Sequence, residues 1–163
     1  MEAANVLFVP GFAFWLGQPR QPVEIIAFAL AAIAAGGLLI VGAFYWHSVD
    51  RQLRLRDRQT IKRALNFADR AQRPALFASA AAGVAFAAAL AANGWSSGVI
   101  AAGVLTLLAV LEYVNYYHRQ LQHFDNVTDF NRLVTGRGFR QSHMARDLGA
   151  FRRRRLAGER VAH

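Results

Sequence analysis

PALFASAAAGVAFAAALAANGWSSGVIAAGVLTLLAVLEYVNYYH, residues 74–118, is the stretch on which the fold turns. It holds no Arg or Lys, and Glu112 is its one formal charge. Ala75–Ala92 is wholly uncharged. Eighteen helical residues reach about 27 Å, close to the roughly 30 Å of a bilayer's hydrocarbon core. Gly98–Tyr117 is a second run, apolar as far as Leu111. Between them lies Asn93-Gly94-Trp95-Ser96-Ser97. Asn93 or Gly94 can take the left-handed conformation that ends a helix, and Ser96 or Ser97 can cap the next. Five uncharged residues between two apolar runs predict a transmembrane helical hairpin.

Working outward, Val23–Trp46 is a third apolar run, charged only at Glu24 and closed by Tyr45 and Trp46, as at an interfacial aromatic belt. Pro22 suits its first turn. Gly36, Gly37 and Gly42 offer close-packing sites to another helix. So do Ser79, Gly83, Ala87 and Ala91, spaced by four. Val6–Leu16 is too short to cross, at about 16 Å of helix. Its aromatic residues suit an interfacial segment instead; a crossing here would give four spans. The N-terminus lacks the basic start and small-residue cleavage site of a signal peptide, so it is expected to be retained.

The fold class expected is therefore all-α and integral to a membrane. It has three transmembrane helices near 23–46, 75–92 and 98–117, plus short amphipathic surface helices. An N-terminal interfacial segment fills 1–22, the helical region 23–117 includes a basic loop at 47–74, and a basic tail occupies 118–163.

Charge sets the expected orientation. The chain carries 19 Lys and Arg, a net charge of +9, and no Cys. Eight of the basic residues lie in 47–74 and ten in 118–163, against none in 93–97 and one in the first 22 residues. Basic loops stay on the cytoplasmic side, which places the N-terminus outside and the C-terminus inside. The location expected is a plasma membrane of the bacterial inner-membrane kind. The 47–74 block reads as a helical extension, a surface-lying amphipathic helix or a solvated helical linker. In it Ile61, Leu65 and Ala68 share a helical face.

The tail supplies the polar residues. Glu112, Asn115, Tyr116 and Arg119 fall on one face of a helix continued through 120–124, and His118, Gln122 and Asp125 on another. They form the candidate functional cluster. One reading is a proton, ion or ligand site at the mouth of a bundle. The other, which carries more weight, is a helix leaving the membrane, with tyrosines at home at that depth. Ser142 can cap a helix bearing Met144, Leu148 and Phe151 on one side. These residues, with Phe130 and Leu133, are expected to dip into the inner leaflet. Arg152, Arg153, Arg154 and Arg155 are expected to bind its anionic lipids. Nucleic acid is disfavoured, because few aromatics interleave the arginines.

No phosphate-binding loop, zinc-protease motif or serine elbow is present. No catalytic residue, metal or cofactor is expected. Asn126-Val127-Thr128 matches a glycosylation sequon but falls on the expected cytoplasmic side. The function expected is a non-enzymatic structural or accessory subunit packing with itself, as a homo-oligomer, or with a larger membrane complex. A small oligomeric transporter or channel using Glu112 and His118 is the alternative. An enzyme sharing a site between His47 and the 112–125 cluster stands third.

Overall fold

The computed structural model describes residues 2–119 and 141–161, with side chains for 4–119 and 141–157. The described residues form five helices: α1 (Glu2–Gly17), α2 (Pro22–Leu55), α3 (Arg58–Asn93), α4 (Ser97–Tyr117) and α5 (His143–Val161). Among them no strand forms; a lone antiparallel bridge joins Arg119 to Gln141. By length and apolar composition α2, α3 and α4 can each cross a membrane. At 16 residues, α1 is about 24 Å long and falls short of the apolar core.

The helices run well past their apolar stretches. α2 has 34 residues and α3 has 36, about 51 and 54 Å. Of the readings of 47–74, helical extension is the one observed. α2 continues to Leu55, and α3 starts at Arg58 and passes through Pro74 without a break. Pro74 only removes the donor to the Arg70 carbonyl, on the exposed side of the helix. The reversal between them takes two residues. Arg56 adopts φ 54°, the left-handed cap, and Asp57 caps α3 by accepting from the Gln59 and Thr60 amides at 3.0 and 3.2 Å.

α2 is central, packing on α1, α3 and α4. Its inner stripe is Ala27, Ala31, Ala34, Leu38, Val41 and Tyr45, each at most 3% exposed. That three-and-four spacing is one helical face. The small side chains let neighbouring backbones approach closely. Gly42 is where the approach is tightest: a Cβ there would collide with the Tyr116 hydroxyl, with the ring's Cζ only 2.5 Å away. Gly36 and Gly37, expected to serve in the same way, have no such neighbour within 4 Å.

The α3–α4 turn follows the chemistry of its residues. Gly94 takes the positive φ, +61°, and the Ser96 hydroxyl accepts from the Val99 amide at 3.2 Å. Ile61, Leu65 and Ala68 are buried on one face of α3, as their spacing predicts. The stripe Ser79, Gly83, Ala87 and Ala91 behaves differently. Ser79 is buried, while Ala87 and Ala91 are exposed. A row spaced by four winds slowly around a helix, so this one leaves the packed face as it ascends.

α5 packs on α3 and α4 at the basic end of the bundle. Met144 and Leu148 are each 2% exposed and belong to the protein's own core. The expectation that they dip into a leaflet is corrected here. Protein surface from α3 and α4 covers Met144 and Leu148, so those two side chains are not offered to lipid; Phe151 is only partly buried. Phe130 and Leu133 lie outside the described residues.

Candidate functional site

At the basic end, three buried tyrosines tie the bundle to α5 and α3. Tyr45, at the end of the apolar part of α2, donates its hydroxyl to Asp147 Oδ2 of α5 at 2.8 Å. Tyr117, the last residue of α4, donates to the Ala68 carbonyl of α3 at 3.0 Å. The Tyr116 carbonyl accepts the Ser142 hydroxyl at 2.9 Å. That hydroxyl in turn accepts from the Ala145 amide at 3.1 Å, capping α5 as its sequence suggests. A buried phenol needs a partner to offset its lost hydration, and the two phenol bonds here, from Tyr45 and Tyr117, each span two elements. Arg152 then crosses to α3, pairing with Asp69 at 2.6 Å through Nε and with Gln72 Oε1 at 2.5 Å.

Of the expected cluster, Glu112, Asn115, Tyr116, His118 and Arg119 are among the described residues. Glu112 is half-buried; its Oε2 is shielded from solvent and has no hydrogen-bond partner among the described residues. Asn115 and Tyr116 line a small cleft with Tyr45, Trp46, Ser142 and His143. His118 is exposed, its ring 5.6 Å from that of Tyr113. Gln122 and Asp125 lie outside the described residues.

The shared helical faces proposed for Arg119 and His118 do not form, because α4 ends at Tyr117. His118 has φ −129° and ψ −72°, and its amide bonds back to the Val114 carbonyl at 3.0 Å. The backbone turns out of the helix there. The Arg119–Gln141 bridge and a Ser142 amide bond to the His118 carbonyl at 3.4 Å hold the two strands of chain together instead. Of the arginine run, Arg152 is held by α3, while Arg154 and Arg155 line a groove between α3 and α5.

A second polar centre sits at the opposite end. Glu24 is 5% exposed. Its Oε2 accepts from the Arg20 and Gln21 amides at 3.0 and 3.3 Å. Its Oε1 accepts from Asn93 Nδ2 at 3.2 Å and the Ser96 hydroxyl at 2.6 Å. One carboxylate thus joins the start of α2 to the α3–α4 turn. Gly98 makes room, since a Cβ there would lie 2.7 Å from Glu24 Oε2 and 2.9 Å from the Pro19 Cα. The sequence shows Glu24 only as a charge near a span's end. The signal was the pairing of that charge with a turn rich in donors, Asn93 and Ser96.

Between α2 and α3, Asp57 is held below its ordinary carboxyl range, chiefly by the Thr60 hydroxyl, with the Thr60 and Gln59 amides and Arg51 assisting against desolvation. Among the described residues no three His, Asp or Glu side chains gather in a way that could hold a metal ion. The polar groups at both ends spend their hydrogen bonds joining helices. Compared with known protein families, curated proteins and solved structures, the chain matches none.

Proposed function

We propose that this protein is a non-enzymatic component of a plasma membrane that assembles, through the outer face of α3, with a second copy or with a helix of a larger complex. The observation that carries the reading is the unequal burial of the three long helices. Of the most apolar window, 44% is buried in α2 and in α4 but 17% in α3. Phe77, Ala80, Val84, Ala87 and Ala91 lie along one side of α3 and are all exposed; Ala82 and Ala89, on the other side, are buried. The outer face is mostly alanine. Lipid gains little from so shallow a surface, whereas another helix backbone can approach it closely. The basic end faces the cytoplasm in this reading, with the N-terminus outside, because eighteen of the 19 Lys and Arg follow His47 and avoid the α3–α4 turn.

Cysteine crosslinking tests the reading on a chain that has no native Cys. Ala80→Cys, Ala87→Cys and Ala91→Cys should crosslink in native membranes to a homodimer or to one defined larger product. Ala82→Cys and Ala89→Cys should not. A monomer at every position, in membranes and in mild detergent, would overturn it.

A second reading is favoured by the shielded Glu112 Oε2: an oligomeric transporter or channel with Glu112 and His118 at its mouth. Reconstituted protein would then carry protons or cations, and Glu112→Gln would reduce the flux. Background flux in both removes this reading.

A further inference from the structure

Beside the Tyr45–Asp147 contact, α2, α3 and α5 enclose an open groove of about 670 Å³. Two helical faces make its walls. Arg58, Ile61, Lys62 and Leu65 come from α3; Asp147, Phe151, Arg154 and Arg155 come from α5. Cationic tips stand over an apolar floor, since Ile61 and Leu65 are each 8% exposed. The one carboxylate of the lining, Asp147, already accepts from Tyr45. Asp50, Asp57 and Asp69 are paired elsewhere, with Arg54, Arg51 and Arg152. Among the described residues Arg58, Lys62 and Arg154 make no ion pair. The groove therefore presents three cations outside any ion pair, Arg58, Lys62 and Arg154, and one committed anion.

Its depth identifies the ligand. α2 and α3 are antiparallel about the Arg56–Asp57 turn, and the rings of Phe44 and Phe67 meet at 5.7 Å. Those rings, with Tyr45 and Trp46, mark the end of the apolar part of α2, where aromatic side chains meet head groups; α3 turns apolar only from Ala75, and the exposed Arg70 and Arg73 in between have side chains long enough to snorkel to that level. At about 1.5 Å per residue, Leu65 stands about 3 Å beyond that level, Lys62 about 7.5 Å and Arg58 about 13.5 Å. A head-group layer occupies roughly 5–8 Å on each side of the hydrocarbon core. Counted from the end of the α2 apolar stretch, Leu65 and Lys62 bracket that layer, and Arg58 lies above it.

We propose that this groove binds the phosphate head group of a single anionic phospholipid. Lys62 and Arg154 hold the phosphate, Arg58 closes over the head group from above, and Leu65 and Phe151 lie under the glycerol. The site differs from diffuse attraction along Arg152–Arg155. It joins the two basic blocks of the sequence across α3 and α5, and it binds with defined stoichiometry. It rests on membrane insertion as read above, but not on assembly through α3.

Native mass spectrometry of the full chain in mild detergent tests this, using phosphatidylglycerol and phosphatidylcholine as probes. Carbonate extraction first establishes that the protein is membrane-integral; release by carbonate would remove both the insertion reading and the lipid site. Wild type should retain one phosphatidylglycerol and no phosphatidylcholine. Lys62→Gln with Arg154→Gln should cut retention at least fivefold. Arg63→Gln with Arg153→Gln, an equal charge change outside the groove, should leave it unaltered. Matching thermal midpoints show that both variants fold. Equal loss in the two double variants would overturn the site in favour of diffuse charge, as would equal retention of the two lipids. Displacement by equimolar glycerol phosphate would assign the groove to a free anion instead. An acidic protein held by wild type in place of lipid, and lost from Lys62→Gln with Arg154→Gln, would overturn it too.

Discussion

Gly42 and Asp57 show how much single positions decide. Gly42 sits where α2 meets the Tyr116 ring of α4. Gly42→Ala should destabilise the bundle by about 1–3 kcal/mol, the cost of overpacking a close contact. Adding Tyr116→Phe should relieve it only in part, since Cζ would still lie 2.5 Å from the new methyl. Equilibrium unfolding in detergent measures both. Asp57 contributes through the charge that caps α3. Its folded-state pKa is depressed, so its contribution is present above the ordinary carboxyl pKa and is lost as pH falls through the lowered value. Wild type should lose stability on acidification below about pH 4, where an unperturbed Asp begins to protonate. Asp57→Ala should be less stable at neutral pH and show a shallower acid slope. Equal slopes would show that Asp57 does not govern this step. These two residues were not equally legible. The Asp57 cap is a local matter, but reading 47–74 as one block leaves out the turn that puts Asp57 at a helix start. The glycine's partner is 74 positions away, and only the packed pair shows which of Gly36, Gly37 and Gly42 matters.

α5 is the element whose role changed most between sequence and structure. Its helical character and its Ser142 cap follow from local chemistry. Its destination does not, because an apolar face of Met144, Leu148 and Phe151 suits a leaflet or a protein equally well. The structure has Met144 and Leu148 in the core. Leu148→Ala should weaken docking of α5 by about 2–5 kcal/mol, the range for truncating a buried leucine. Hydrogen exchange across 144–151 should then rise, with the rest of the bundle unchanged. Tyr45→Phe removes only the bond to Asp147 and should cost about 1 kcal/mol. If protection in α5 were indifferent to both changes, something other than these contacts would hold it. For the candidate cluster, the assumption that α4 runs on past Tyr117 is what the structure corrects at this scale; Gln122 and Asp125 lie outside the described residues. Grouping His118 with Gln122 and Asp125 requires α4 to continue, and the chain instead leaves the helix at Tyr117 to pair Arg119 with Gln141.

For the whole molecule, orientation is the sharpest expectation. A reporter active only outside the cytoplasm should give no signal when fused after His163 and a strong one when inserted at Trp95. The reverse would place the basic end outside. That prediction needs nothing beyond the sequence, because insertion responds to charge and hydropathy summed over local stretches. The same is true of the three long helices and of the α3–α4 turn. In each, the deciding residues are neighbours along the chain: an uncharged run long enough to cross, a glycine, a serine cap. What only the tertiary structure decided are the contacts between distant residues. Glu24 meets Ser96, Tyr45 meets Asp147, and Lys62 shares a groove with Arg154. Periodicity shows which face of a helix is apolar, but not which neighbour covers it or which charges that neighbour brings alongside. Those facts arise when antiparallel packing sets the register of one helix against the next.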